Sequence, residues 1–125
     1  MQNANTVVIT GNLTRDPELR YLQGGDEFLC KLRVAVSGRH KDGQSGQWVD
    51  KPNYFDVAVW GGQAESCANY LAKGRGIAVA GRLDWHEWED ASGARRESVE
   101  IVATLVQFLD SPVRESETAR EGVPA

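Results

Sequence analysis

Apolar and polar residues alternate cleanly along much of the first sixty positions. Phe28, Cys30, Leu32, Val34 and Val36 fall on one side of an extended chain, with Lys31, Arg33 and Ser37 on the other. The run from Tyr54 to Trp60 repeats the pattern: Phe55, Val57 and Val59 form the apolar side, which leaves Tyr54, Asp56, Ala58 and Trp60 opposite. Ahead of both, Val7-Val8-Ile9-Thr10 is a short β-branched strand expected to stop at the turn pair Gly11-Asn12. Asp16-Pro17 then opens a connection, and Gly24-Gly25 marks a second turn. Residues 38–53 hold three glycines, a proline and several polar groups, and read as a long hairpin tip. After Gly61-Gly62 the period changes: Ala64, Cys67, Ala68 and Leu71 recur at i, i+3, i+4 and i+7, the stripe of one short helix. Lys73-Gly74 is placed to end it, a cation and a left-handed residue both being favourable there. Ile77, Val79, Gly81 and Leu83 return to strand, Ala91–Ala94 makes a polar hairpin, and Val99 to Leu109 is a last strand. The pattern stops after Asp110, so residues 1–110 read as the folded domain and 111–125 as a disordered tail.

This order has no βαβα alternation, which disfavours a parallel doubly wound sheet. A small antiparallel sheet leaves two exposed edges, and closing it into a barrel removes them. The expected class is therefore all-β: a five-stranded antiparallel barrel with one short α-helix between strands three and four, the OB-fold arrangement.

The chain has 125 residues, enough for a single core. No apolar run approaches the roughly 18–20 residues that span a bilayer, and the first residues lack the charge and apolar stretch of a secretory signal. A cytoplasmic location with no membrane association is expected. Cys30 and Cys67, the two cysteines, lie on apolar faces and read as core thiols, without a CxxC pair for zinc or redox work. The net charge of −4 speaks against a polyanionic partner until it is resolved along the chain. Residues 1–83 balance at +2 and residues 84–125 at −6, so the acidity is local.

The aromatic residues are placed unusually. Tyr54 and Trp60 share the non-core side of one strand, Trp48 lies in the polar hairpin before it, and Trp85 and Trp88 follow Leu83. A lone tryptophan in a small protein is more often core or subunit contact than ligand platform. Here the rings are interleaved with cations: Lys31 and Arg33 oppose the core, Arg39, Lys41 and Lys51 flank Trp48, and Lys73, Arg75 and Arg82 precede Trp88. Flat rings for stacking bases, alternating with cations for phosphates, suit single-stranded nucleic acid. Duplex reading calls for a basic helix, whereas the helix expected here carries Glu65. An interaction domain offering its aromatics to a protein is the alternative.

Catalytic chemistry is poorly supported. The two histidines, His40 and His86, form no HExxH pair, and Ser66 and Cys67 have no nearby histidine to activate them. On a strand the carboxylates of Asp84-Trp85-His86-Glu87-Trp88-Glu89-Asp90 split between two faces, which works against a shared metal ion. A hydrolytic role for carboxylates near His86 is the weakest alternative; no enzyme activity, metal or cofactor is expected.

Five segments in order resemble the bacterial single-stranded DNA-binding proteins, a homotetrameric OB-fold family: Val8-Ile9-Thr10-Gly11-Asn12-Leu13, Asp16-Pro17-Glu18-Leu19-Arg20-Tyr21, Val34-Ala35-Val36-Ser37, Tyr70-Leu71-Ala72-Lys73-Gly74 and Val79-Ala80-Gly81-Arg82-Leu83. The resemblance covers roughly residues 5–109. It implies a non-catalytic cytoplasmic homotetramer that coats single-stranded DNA in replication, recombination and repair. It makes Tyr54, Trp60 and Trp88 stacking platforms and Arg20, Arg33, Arg39, Lys73 and Arg82 phosphate contacts, and sets Thr6 to Thr10 at a subunit interface. Three departures stand out. His40 occupies a place where the family often has an aromatic, so Trp48 can substitute for it. Asp84 and Glu87 bring negative charge into a strand that is often basic. The chain ends Glu121-Gly122-Val123-Pro124-Ala125 in place of the family's aspartate-rich Ile-Pro-Phe tip. It therefore reads as a short paralogue, and the missing tip speaks against recruitment of replication and repair enzymes by the usual route.

Overall fold

A computed structural model describes residues 3–24 and 27–109. The expectations for the tail, 111–125, lie outside the described residues. The elements run β1 (Val7–Leu13), β2 (Glu18–Leu22), β3 (Glu27–Val36), β4 (Arg39–Lys41), β5 (Trp48–Asp50), β6 (Asn53–Trp60), α1 (Gly62–Tyr70), β7 (Gly76–Glu89) and β8 (Arg95–Phe108). No helix of the described residues is long and apolar enough to cross a membrane.

Five strands close a circuit of pairings. β1 lies between β7 and β3, β3 pairs β6, β6 pairs β8, and β8 returns to β7. β2 extends the sheet beyond β3, and β4 with β5 forms a separate hairpin. The OB-fold expected from the pattern is present, with one difference of direction. β6 and β8 run parallel, Val57 beside Ile101 and Ala58 beside Val102. A ring with an odd number of strands cannot alternate direction all the way round, so one seam has to be parallel.

The side chains inside the ring are those of the apolar alternation. Leu32, Val34, Val57, Val59, Ile77 and Val79 are each at most 1% exposed, and burial of each contributes about 1.5–3 kcal/mol. α1 lays Ala64 and Cys67 against this core, with Leu71 just beyond its end. Gln63 ties the helix to β8: its amide donates to the Thr104 carbonyl (3.0 Å), and its oxygen accepts from the Val106 N–H (3.0 Å). Cys30 and Cys67 are free, buried thiols. Burial pushes Cys30 up to about 11 and Cys67 up to about 12, with a smaller contribution from Glu18 on the first and from Cys30 on the second. Both stay protonated and serve as packing.

Several boundaries differ from the expected ones. β1 runs through Gly11-Asn12 to Leu13 instead of turning there. A Cβ at Gly11 would fall on the Ala35 carbonyl oxygen, so glycine here permits the close crossing by which β1 leaves β7 for β3. Glu18–Leu22, expected as connection, is a strand whose residues are all exposed. The helix ends at Tyr70, and Gly74 (φ 92°) lies in the following turn, donating its N–H to the Leu13 carbonyl at 2.8 Å. β7 and β8 continue well past the barrel as a 14-residue hairpin pair. Leu83, just past the end of the β1 ladder at Gly81, is half-exposed although it shares the inner face, and Phe55 on β6 is likewise partly exposed.

Candidate nucleic-acid interface

Strand register assembles the outer face from residues far apart in sequence. On β6 the outward positions are Tyr54, Asp56, Ala58 and Trp60. β3 adds Lys31 beside Ala58 and Arg33 beside Asp56. On the other side β8 contributes Val102 next to Ala58, and the hairpin register then sets Val102 beside Arg82, Glu100 beside Asp84, Ser98 beside His86 and Arg96 beside Trp88. β2 brings Glu18 next to Lys31 and Arg20 next to Leu29. The face thus carries three of the expected platforms, Tyr54, Trp60 and Trp88, at 51%, 40% and 50% exposure. Rings left this far in water are available for stacking.

Two shallow depressions lie on this face. Arg15, Arg20, Lys31, His86 and Trp88 are among the residues that line one, and Trp60, Arg82 and His86 contribute to the other. His86 and Glu100 form the divide shared by both. Most expected phosphate contacts here hold a carboxylate. Arg20 pairs with Glu18 at 2.8 Å, Arg33 with Asp56 at 2.9 Å, and Arg82 with Asp84 at 3.5 Å. Such exposed pairs contribute about 0–1 kcal/mol each, so a phosphate can replace the carboxylate at little cost. Lys31 and Glu100, 2.9 Å apart, are more sheltered, at 27% and 12% side-chain exposure. Arg33 also lies over the Tyr54 ring, 5.3 Å from its centroid, which leaves the opposite ring face for a base.

The remaining expected contacts stand elsewhere. His40, Arg39, Lys41 and Trp48 sit on the β4–β5 hairpin, an arm between β3 and β6, where Lys41 faces Trp48 and His40 faces Val49. Arg39 covers the Trp48 ring at 5.8 Å, and Trp48 is 60% exposed. Lys73 and Arg75 lie in the turn before β7. The Lys73 backbone N–H donates to Asp16 (2.8 Å). The Arg75 guanidinium is occupied by carbonyls, donating to Leu109 (3.3 and 3.2 Å) and to Tyr70 (3.3 Å). Arg75 therefore stands at the last carbonyl of α1, where Lys73 was expected to supply the cation.

The acidic residues expected to repel phosphate divide. Glu87 is on the opposite face from Trp88 and pairs with Arg95, whereas Asp84 shares the face with Trp88 and Arg82. Arg15, His86 and Glu100 are site residues that the alternation did not single out. The Ala91–Ala94 turn alone would have set Asp84 beside Ile101; the hairpin is centred on Ser92, which sets it beside Glu100. Asp84, His86 and Glu100 bring ligand atoms within 4.8 Å of one another. The two imidazole nitrogens face different carboxylates, and Lys31 holds the second Glu100 oxygen, an arrangement suited to shared protons and cations more than to one metal ion.

A small OB-fold barrel with aromatics and cations on one outer face has the make-up of a single-strand nucleic-acid-binding module. The chain belongs to the single-strand binding protein family, whose model matches residues 4–109. It is 43% identical over 122 residues to a single-stranded DNA-binding protein of Treponema pallidum, covering 98% of this chain and 67% of that one. It is 41% identical over 106 residues to single-stranded DNA-binding protein 3 of Clostridium acetobutylicum, covering 85% of this chain and 71% of that one. Among solved structures, the fold is similar to the Plasmodium falciparum SSB in complex with ssDNA (TM-score 0.78, 22% identity, 88% of this chain and 98% of that one). It is also similar to a deletion mutant of the Thermus aquaticus single-stranded DNA-binding protein (TM-score 0.73, 33% identity, 86% of this chain and 51% of that one).

Proposed function

We propose that the protein binds single-stranded DNA without sequence preference and acts as a binding protein, not an enzyme. The observation that carries this reading is the single outer face on which Tyr54, Trp60 and Trp88 stand exposed among Arg20, Lys31, Arg33 and Arg82. Bases stack on the rings and phosphates exchange with the carboxylates that hold the arginines. The β4–β5 arm, with His40, Arg39, Lys41 and Trp48, extends the path of the strand, and Lys73 lies at its margin. Residues 1–110 form the binding domain.

The same reading includes a cytoplasmic homotetramer that protects single strands during replication, recombination and repair. Support for assembly comes from β1. Its residues Val7–Gly11 pair with β7 along one edge, and among the described residues no strand pairs with the other. Val8 on this strand is 71% exposed and Leu105, across Ala80, is 56% exposed. A free edge flanked by apolar side chains is suited to pairing with a second copy.

The test is a fluorescence-anisotropy titration of labelled oligo(dT) against a labelled duplex of equal length. Saturable binding of the single strand, with the duplex bound far more weakly, is the expected result. Equal affinity for the two, or none for oligo(dT), contradicts the reading.

A further inference from the structure

We propose that His86 couples DNA binding to proton uptake, so that one proton at the centre of the binding face strengthens its hold on a single strand; the inference rests on the reading of that face as the DNA site. Five side chains form an unbroken chain across the divide between the two depressions. Lys31 Nζ is 2.9 Å from Glu100 Oε2, and Glu100 Oε1 is 3.6 Å from His86 Nε2. His86 Nδ1 is 3.4 Å from Asp84 Oδ2, and Asp84 Oδ1 is 3.5 Å from Arg82 Nη1. Each carboxylate divides its oxygens, one to a fixed cation and one to the imidazole.

A neutral imidazole carries one N–H and one lone pair. Between these two carboxylates it turns an N–H toward one and its lone pair toward the other. An imidazolium presents positive charge and an N–H to both. The chain then balances at +1, with Lys31 and Arg82 at its ends relieved of part of their carboxylates' demand. With neutral His86 the same chain balances at zero. Histidine is the side chain whose charge ordinarily changes between pH 5 and 8. Because DNA adds negative charge on this face, a proton at His86 and a bound strand favour each other, and affinity rises as pH falls.

The other charged groups facing His86 leave this sign intact. In the depression shared with Trp88 they are Arg15, Arg20, Glu18 and Asp56, besides Lys31 and Glu100. In the depression shared with Trp60, Glu27 joins Arg82 and Asp84. Glu18 and Asp56 are paired with Arg20 and Arg33.

The full 125-residue chain is titrated with oligo(dT) between pH 5.5 and 8.5 at constant ionic strength, following tryptophan quenching. Wild-type affinity is expected to rise about five- to tenfold from pH 8 to pH 6, the size of one added charge near a phosphate at the surface. Its log–log salt slope is expected to steepen by about 0.7 over the same interval, one further neutralised phosphate. His86→Gln removes both changes, His86→Lys holds the higher affinity at every pH, and His40→Gln retains the pH slope. A wild-type profile that is flat, or a slope that survives in His86→Gln, overturns the proposal while leaving the DNA-binding reading standing. Absence of oligo(dT) binding at every pH overturns that reading instead.

Discussion

Trp60 and Trp88 come from strands that do not pair with each other, yet both face outward within reach of the residues that line two adjoining depressions. Replacing either by alanine removes a stacking surface and little of the barrel, since both rings are substantially exposed. Stacking contributes about 1–3 kcal/mol per base. Trp60→Ala and Trp88→Ala should therefore each weaken oligo(dT) binding by about ten- to a hundredfold, with the thermal melt nearly unchanged. Binding unaffected by both substitutions would move the site off this face. The outward position of Tyr54 and Trp60 could be read from Phe55, Val57 and Val59 alone, because strand alternation is a property of neighbours in sequence. Glu100 and His86 could not be read that way, because their proximity depends on hairpin register. Nor does alternation tell how far the core extends. Leu83 keeps the inner side of β7 but lies past Gly81, where the ladder to β1 ends.

At the scale of elements, the strands that were legible are those with one fully buried side. β2 buries none of its residues and so leaves no apolar periodicity, although its five-residue ladder to β3 supports Arg20 beside the site. Gly11-Asn12 looks like a turn by residue type, but tertiary contact with β3 selects glycine there for its missing Cβ. The β7–β8 hairpin is closed by Asp90, which accepts from the Ser92 hydroxyl (2.6 Å), the Ser92 N–H (2.9 Å) and Arg96 (2.8 Å). The Ser92 bond, followed by Arg96, holds the Asp90 carboxyl down at about 2. A carboxyl depressed in the folded state adds stability above its unfolded range and loses it as pH falls through the folded value. The turn should accordingly hold at pH 5 and loosen between about pH 4 and 2, seen as lower protection of the Ser92 and Ala94 amides, each exchange rate being taken relative to the intrinsic rate at that pH. Asp90→Asn should show the loosened turn already at pH 7. An exchange profile unchanged down to pH 2 would rule this out.

For the whole molecule, the ring of five strands explains the parallel seam. The pattern of the sequence was sufficient for the five barrel strands and the position of the helix, not for β2, β4 and β5, and closure then required one parallel pair. Among the described residues it also leaves Val7–Gly11, most of one β1 edge, without a strand partner. A charge at that edge should disturb assembly without touching the core: Val8→Glu is expected to lower the mass measured by light scattering, from that of a tetramer toward smaller species. A wild-type chain that is monomeric would contradict the tetramer. The net charge of −4 likewise has meaning only after folding, when Asp56, Asp84 and Glu100 turn out to hold cations on the proposed binding face itself. The proposed grip of this face on a single strand, by stacking and phosphate exchange, is read by one titration of intrinsic tryptophan fluorescence with oligo(dT) at several salt concentrations. Strong quenching at low salt is expected, with an affinity falling with salt at about −0.7 per phosphate neutralised on a log–log plot. A folded protein whose fluorescence oligo(dT) leaves unquenched at low salt would contradict it.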